Sequence, residues 1–193
     1  MAQDPKPTAL LPKPLMAVAV GLPVLLAAGV AAVGLFLATG GQDVQPAPTT
    51  EDRSGPLALV PVPAPEAEGE ECKALLNELP TELVSNGAPL PRRELASPAP
   101  TATMAWGNAD HEPIVLRCGL NRPADLNQTS QLRVVSEVQW LEINEGDKAT
   151  WYTVDRPTYV ALTLPSDAGT GPLQDISTTI RDTLAPVPIE TEG

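Results

Sequence analysis

The longest uninterrupted apolar stretch lies near the N-terminus, where Leu15 to Ala38 reads LMAVAVGLPVLLAAGVAAVGLFLA and no charge occurs between Lys13 and Asp43. About 20 apolar residues span the hydrocarbon core of a bilayer, so residues 15–38 are expected to form one transmembrane helix, an uncleaved signal anchor. A cleaved signal peptide shares the basic start, but its apolar region runs only about 7–15 residues; Ala38-Thr39-Gly40 is the alternative cut site. Lys6 and Lys13 flank one end of the run, and Asp43, Glu51 and Asp52 flank the other. The positive-inside rule then places residues 1–14 in the cytoplasm and everything after residue 38 outside. Ala17, Gly21, Ala28 and Ala32 have the small-xxx-small spacing that lets two helices approach, which makes a homodimer through this segment one expectation.

Residues 39–55 read as a proline-rich linker, with Pro46 and Pro48 favouring an extended polyproline II spacer. An extracytoplasmic domain is expected over residues 56–186, followed by a disordered tail over 187–193. Leu57 to Val62 is more apolar than a linker requires, and its prolines suit an edge strand. Cys72, Leu75, Leu76 and Leu79 recur at i, i+3, i+4 and i+7, one face of a helix over residues 70–79 that Pro80 ends. Ser85-Asn86-Gly87 and Pro89 to Pro91 mark a loop carrying Arg92-Arg93. Strand patterns follow at Thr101 to Trp106, Ile114 to Cys118, and Leu132 to Ile143, the last interrupted by polar Ser136. Glu145-Gly146-Asp147 is a turn into Ala149 to Val154, and Tyr159 to Leu164 is a further strand. Gly171-Pro172 opens a final helix, with Leu173, Ile176, Ile180 and Leu184 on one face before Pro186. Strands flanked by helices without alternation imply an α+β domain, a mostly antiparallel sheet of about four to five strands with two helices.

Charge narrows the functions open to this domain. Setting aside Lys6, Lys13 and Asp4, 10 of the chain's 12 basic and 23 of its 24 acidic residues follow the apolar run. Binding nucleic acid relies on Lys and Arg displacing counterions from phosphate, so nucleic acid is excluded as a partner class. Anionic lipid and wall polymers are disfavoured for the same reason. The 23 prolines and the apolar N-terminal run account for a composition that would otherwise suggest one larger globular chain.

Candidate chemistry is sparse. Cys72 and Cys118, an even pair outside the cytoplasm, are most simply a disulfide that staples the first helix to the sheet. A redox-active pair is the alternative, disfavoured by Glu70 and Glu71, which would raise a nearby thiol pKa. His111, the one histidine, stands between Asp110 and Glu112 without a second ligand at any metal-binding spacing, so no metal is expected. It would also have to serve any serine triad, and no nucleophile elbow, P-loop or dinucleotide fingerprint occurs, so no cofactor is expected. Asn127-Gln128-Thr129 matches a glycosylation sequon, a pattern common by chance. Arg117 and Arg156, at strand ends beside apolar motifs, either brace acidic groups or grip an anionic ligand. Trp106, next to Gly107, either caps the core or anchors a partner.

The motifs Pro56 to Pro80, Ala105-Trp106-Gly107, Ile114 to Gly119, Val138 to Leu141, Val154-Asp155-Arg156, Tyr159-Val160 and Gly171 to Asp175, in that order, resemble the actinobacterial domain of unknown function 3515 family. The resemblance covers residues 56–186 and implies a secreted or membrane-anchored envelope protein. It supports pairing Cys72 with Cys118 and supplies no reaction or catalytic residue. Asn108 to Glu112 departs from the family's run, which weighs against a site on His111. The reading that follows is a non-catalytic, membrane-anchored envelope protein that binds another envelope protein. The alternatives are a cell-wall-modifying enzyme and a small-ligand-binding or sensory domain. A deep pocket lined by Arg117, Arg156 and carboxylates would favour these alternatives; a filled core with an exposed apolar patch would favour the first.

Overall fold

The computed structural model describes residues 55–191. The expected transmembrane helix, the linker up to residue 54 and the last two residues of the tail lie outside them. Among the described residues no helix is long and apolar enough to cross a membrane.

Helix α1 (Glu70–Glu78) buries Cys72 and Leu75 and begins with two glutamates, whose charge complements the helix N-terminus. Strands β1 (Glu82–Ser85) and β2 (Ala88–Pro91) form a separate antiparallel hairpin. Six further strands make one sheet: β3 (Thr103–Trp106), β4 (Ile114–Leu120), β5 (Leu132–Val135), β6 (Val138–Glu145), β7 (Lys148–Thr153) and β8 (Tyr159–Pro165), in the order β3-β4-β8-β7-β6-β5 with every pair antiparallel. Helix α2 (Gly171–Thr183) closes the fold, burying Leu173, Ile176 and Ile180. The α+β class, the antiparallel pairing and both helices agree with the sequence pattern, but the main sheet has six strands rather than about four to five, with the two-stranded hairpin apart from it.

Two turns depart from that pattern. The single strand expected over Leu132 to Ile143 is two, because Ser136 and Glu137 both adopt positive φ, 46° and 64°, and reverse the chain in a two-residue hairpin. Neither residue is the glycine or asparagine that normally announces such a turn, so alternation alone ran the strands together. Conversely, the loop expected around Asn86-Gly87 is a tight hairpin with φ of 49° and 80°, the Asn-Gly signal in its usual role. Pro89 and Pro91 are tolerated because β2 has only one partner strand. Leu57 to Val62 is not a strand; only Leu57 bridges, in parallel, to Leu95.

Alternation along the strands gives the sheet an inner and an outer face. Both helices pack on the inner face, where Ile114, Leu116 and Cys118 of β4, Val160 and Leu162 of β8, and Val138 and Trp140 of β6 join the helical side chains in one core. Cys72 and Cys118 form a disulfide across this core, with Cα atoms 5.6 Å apart. Trp140 donates its indole N–H to Ser177 Oγ of α2 at 3.0 Å, so the largest buried side chain of β6 keeps its polar atom satisfied.

The outer face is covered piecemeal. Leu126, Leu141 and Val154 make a small second core with Tyr152, Tyr159 and Ile189. The residues after α2, expected as a tail beyond 186, continue along the domain: Val187 N donates to Asp155 O, and Arg122 donates to the carbonyls of Glu190 and Thr191. The remaining cover is a proline-rich strap. It is pinned at one end by Leu57 bonding Glu94 and Ala96, and at the other by Glu66 N donating to Gly119 O at 3.1 Å. Gly119 has φ of 84° and lies so close to Glu66 and Ala67 that a Cβ there would collide with their backbone. Glycine is thus what lets the strap lie down on β4.

Candidate functional site

Of the sequence candidates, Trp106 is wholly buried and donates its indole N–H to Pro80 O at 2.9 Å, a core position. Arg156 is enclosed too, 2.9 Å from Asp155 Oδ2, and it donates to Glu137 O. Asp155 in turn accepts from Gln139 N, so the pair ties the β6 start to the β7–β8 turn. Its place is that of a brace. Arg92 donates to Leu79 O and Pro80 O, meeting carbonyls at the C-terminal end of α1, and Arg93 donates to Gly55 O where the strap begins.

His111 sits in a loop organised by Asn108, whose side-chain oxygen accepts from the backbone N–H of Asp110 and of His111 and lies 2.9 Å from His111 Nδ1. Glu112 faces Lys148 at 3.6 Å. Among the described residues no cluster of three His, Cys, Asp or Glu could hold a metal. The sequon residue Asn127 is occupied in its own turn, its oxygen accepting from Thr129 N and Oγ1.

Arg117 is different. It lies on the outer face of β4, the second strand from one edge of the sheet, beside Thr103 on β3 and Ala161 on β8. The strap crosses above it, and two open grooves flank the crossing. One, of about 410 Å³, is bounded by Pro61, Val62, Pro65, Pro98 and Thr101; the other, of about 420 Å³, by Val62, Pro63, Asn121, Pro123 and Tyr152; Arg117 and Leu120 border both. The guanidinium makes one long bond, 3.4 Å to Val60 O, and its Nε is enclosed without an acceptor. The Nε of Arg156 is likewise without one, but Arg156 has its carboxylate, whereas among the described residues Arg117 pairs with none. An unsatisfied buried donor costs about 1–3 kcal/mol. Burial pushes the Arg117 pKa down, with Tyr152 opposing it. Burial first, then Glu145, pushes the Tyr152 pKa up, so the phenol stays protonated and able to donate.

The strap also displays the domain's most exposed large apolar side chain, Val60 at 78%, with Val62 at 44% beside it. Sequence reading found Arg117 but not its surroundings. Thr150, Tyr152, Ala161 and Thr163 read as ordinary strand residues, and only the pairing of β7 with β8 and β8 with β4 gathers them. The alternation of β7 and β8 carries the face each residue takes, though not which strands are neighbours.

Neither the curated proteins nor the solved structures yield a match. Residues 20–189 match the family described as a protein of unknown function (DUF3515). That match reaches back into the apolar run and forward past α2, further than the motifs at 56–186, and the chain belongs to this family.

Proposed function

We propose that this is a non-catalytic, membrane-anchored cell-envelope protein that binds another envelope protein through the strap. Residues 15–38 hold it in the cytoplasmic membrane with the N-terminus inside, and residues 39–55 carry the domain away from the lipid. The observation that carries the reading is the strap itself. An apolar, proline-rich segment is laid across the outer face with Val60 and Val62 turned to solvent, while the inner face is filled by side chains as large as Trp106 and Trp140. Val84, Val134 and Val187 are exposed too, each singly on a different segment, whereas Val60 and Val62 are displayed together, as in a contact patch. Prolines hold the strap extended before a partner arrives, which lowers the ordering cost of binding.

Proximity labelling from the full chain in its native cells tests this. The expected result is enrichment of one or a few envelope proteins by the wild type and their loss with V60E/V62E at equal abundance. Equal labelling by both proteins, or no envelope protein enriched, would remove the reading.

A further inference from the structure

The floor of the groove bounded by Val62 and Pro63 is built from two cross-strand rows. Arg117, Ala161 and Tyr152 form one row, and Thr163 and Thr150 lie in the next, their hydroxyls 3.2 Å apart. Ala161, with the smallest side chain of its row, makes the low point, and Arg117 and Tyr152 stand on either side across two strand spacings of about 4.8 Å each. We propose that this groove is a carboxylate-binding site, in which Arg117 supplies charged hydrogen bonds to a carboxylate seated over Ala161 and the Tyr152 hydroxyl donates from the opposite wall. This goes beyond the interaction reading and does not need a partner on the strap.

Two observations and one piece of general chemistry carry it. Arg117 has no carboxylate partner among the described residues and one 3.4 Å contact with a carbonyl, so its planar donor set is largely unspent. Guanidinium and carboxylate match in a two-bond fork, which a single carbonyl cannot fill. The cavity, about 420 Å³, falls in the size range of small-ligand sites and combines apolar walls from the strap with a few convergent polar groups. Glu145 and Arg122 border the groove as well, but the Arg122 guanidinium is already spent on the carbonyls of Leu126, Glu190 and Thr191, so Arg117 is the cation left for a ligand and a monoanion suits it better than phosphate on a chain of net charge -12. The carboxylate belongs either to a small free acid or to the C-terminus of a peptide; the chemistry at Arg117 is the same.

The test is a titration of the isotopically labelled full chain in detergent micelles, following the Arg117 Nε–H resonance and the amides of Thr150, Tyr152 and Thr163. The probes are acetate, N-acetyl-alanyl-alanine, its C-terminal amide and inorganic phosphate. Saturable shifts with the free acids and none with the amide are expected. A response to acetate as strong as to the peptide identifies a small acid, and a response to the peptide alone identifies a chain terminus. R117Q should weaken binding at least tenfold, R117K less, and Y152F a few-fold with Arg117 intact. No saturable shift at millimolar probe, equal shifts from acid and amide, tighter binding of phosphate, or unchanged affinity in both a folded R117Q and Y152F would overturn it. Labelling lost with V60E alone bears only on the strap, because the Val60 side chain does not border this groove whereas Val62 does.

Discussion

Removing the Cys72–Cys118 bridge gives the sharpest energetic test of the fold. The cysteines are 46 residues apart and both are buried, one on α1 and one at the centre of β4. Closing a loop of that length removes unfolded-state entropy worth about 4 kcal/mol in loop-closure terms. Domains of this size have a net stability of about 5–15 kcal/mol, so C72A/C118A should leave a folded but marginal protein. At a urea m-value of about 1.5 kcal/mol/M, the midpoint should fall by about 2–3 M, and Tm by roughly 10–20 °C. Trp140 and Trp106, wholly buried, report the transition by fluorescence. A loss under about 1 kcal/mol with unchanged m would refute the reasoning and show that packing of Leu75 and Leu79 alone holds α1 to the sheet.

G119A should cost roughly 3 kcal/mol or more, because a Cβ there meets the backbone of Glu66 and Ala67 at a positive φ; thermal melts check this, and a neutral result would mean the strap is not seated on β4. D155N leaves the buried Arg156 without its anion and the Gln139 N–H with a weaker acceptor, for a loss of about 3–5 kcal/mol in urea titrations. Burial raises the pKa of Tyr152 and of Tyr159 above the ordinary tyrosine value of 10.0. Above that value the folded state holds more protons than the unfolded chain, so this stability is intact below pH 10 and falls as pH climbs through the folded pKa values. Absorbance titration at 295 nm should show both phenols ionising late in the native protein and normally in denaturant.

Helices were the most legible elements, because Cys72, Leu75 and Leu79, and Leu173, Ile176 and Ile180, repeat on one face and prolines mark the ends. Strand positions were legible from alternation, but hairpins were legible only where turn chemistry is conventional. Glu145-Gly146-Asp147 is where expected, whereas Ser136-Glu137 hides a reversal behind residues that seldom take positive φ. Of the candidate site, Arg117 stood out as a cation among apolar neighbours. Asp155 precedes Arg156 in the chain, so that pair lay within local reach; that Arg117 would have no carboxylate depends on which strands flank β4, which local pattern does not encode.

The central claim is that the outer face beneath and around the strap is the working surface of the domain. Photo-crosslinking in living cells from single reporters at Val60, Val62 and, for comparison, Val134, a valine on β5 whose exposure of 68% lies between theirs, tests it most directly. Discrete adducts to the same envelope protein from positions 60 and 62, and none from 134, are the expected result. Adducts from Val134 alone, or from none of the three, would contradict it.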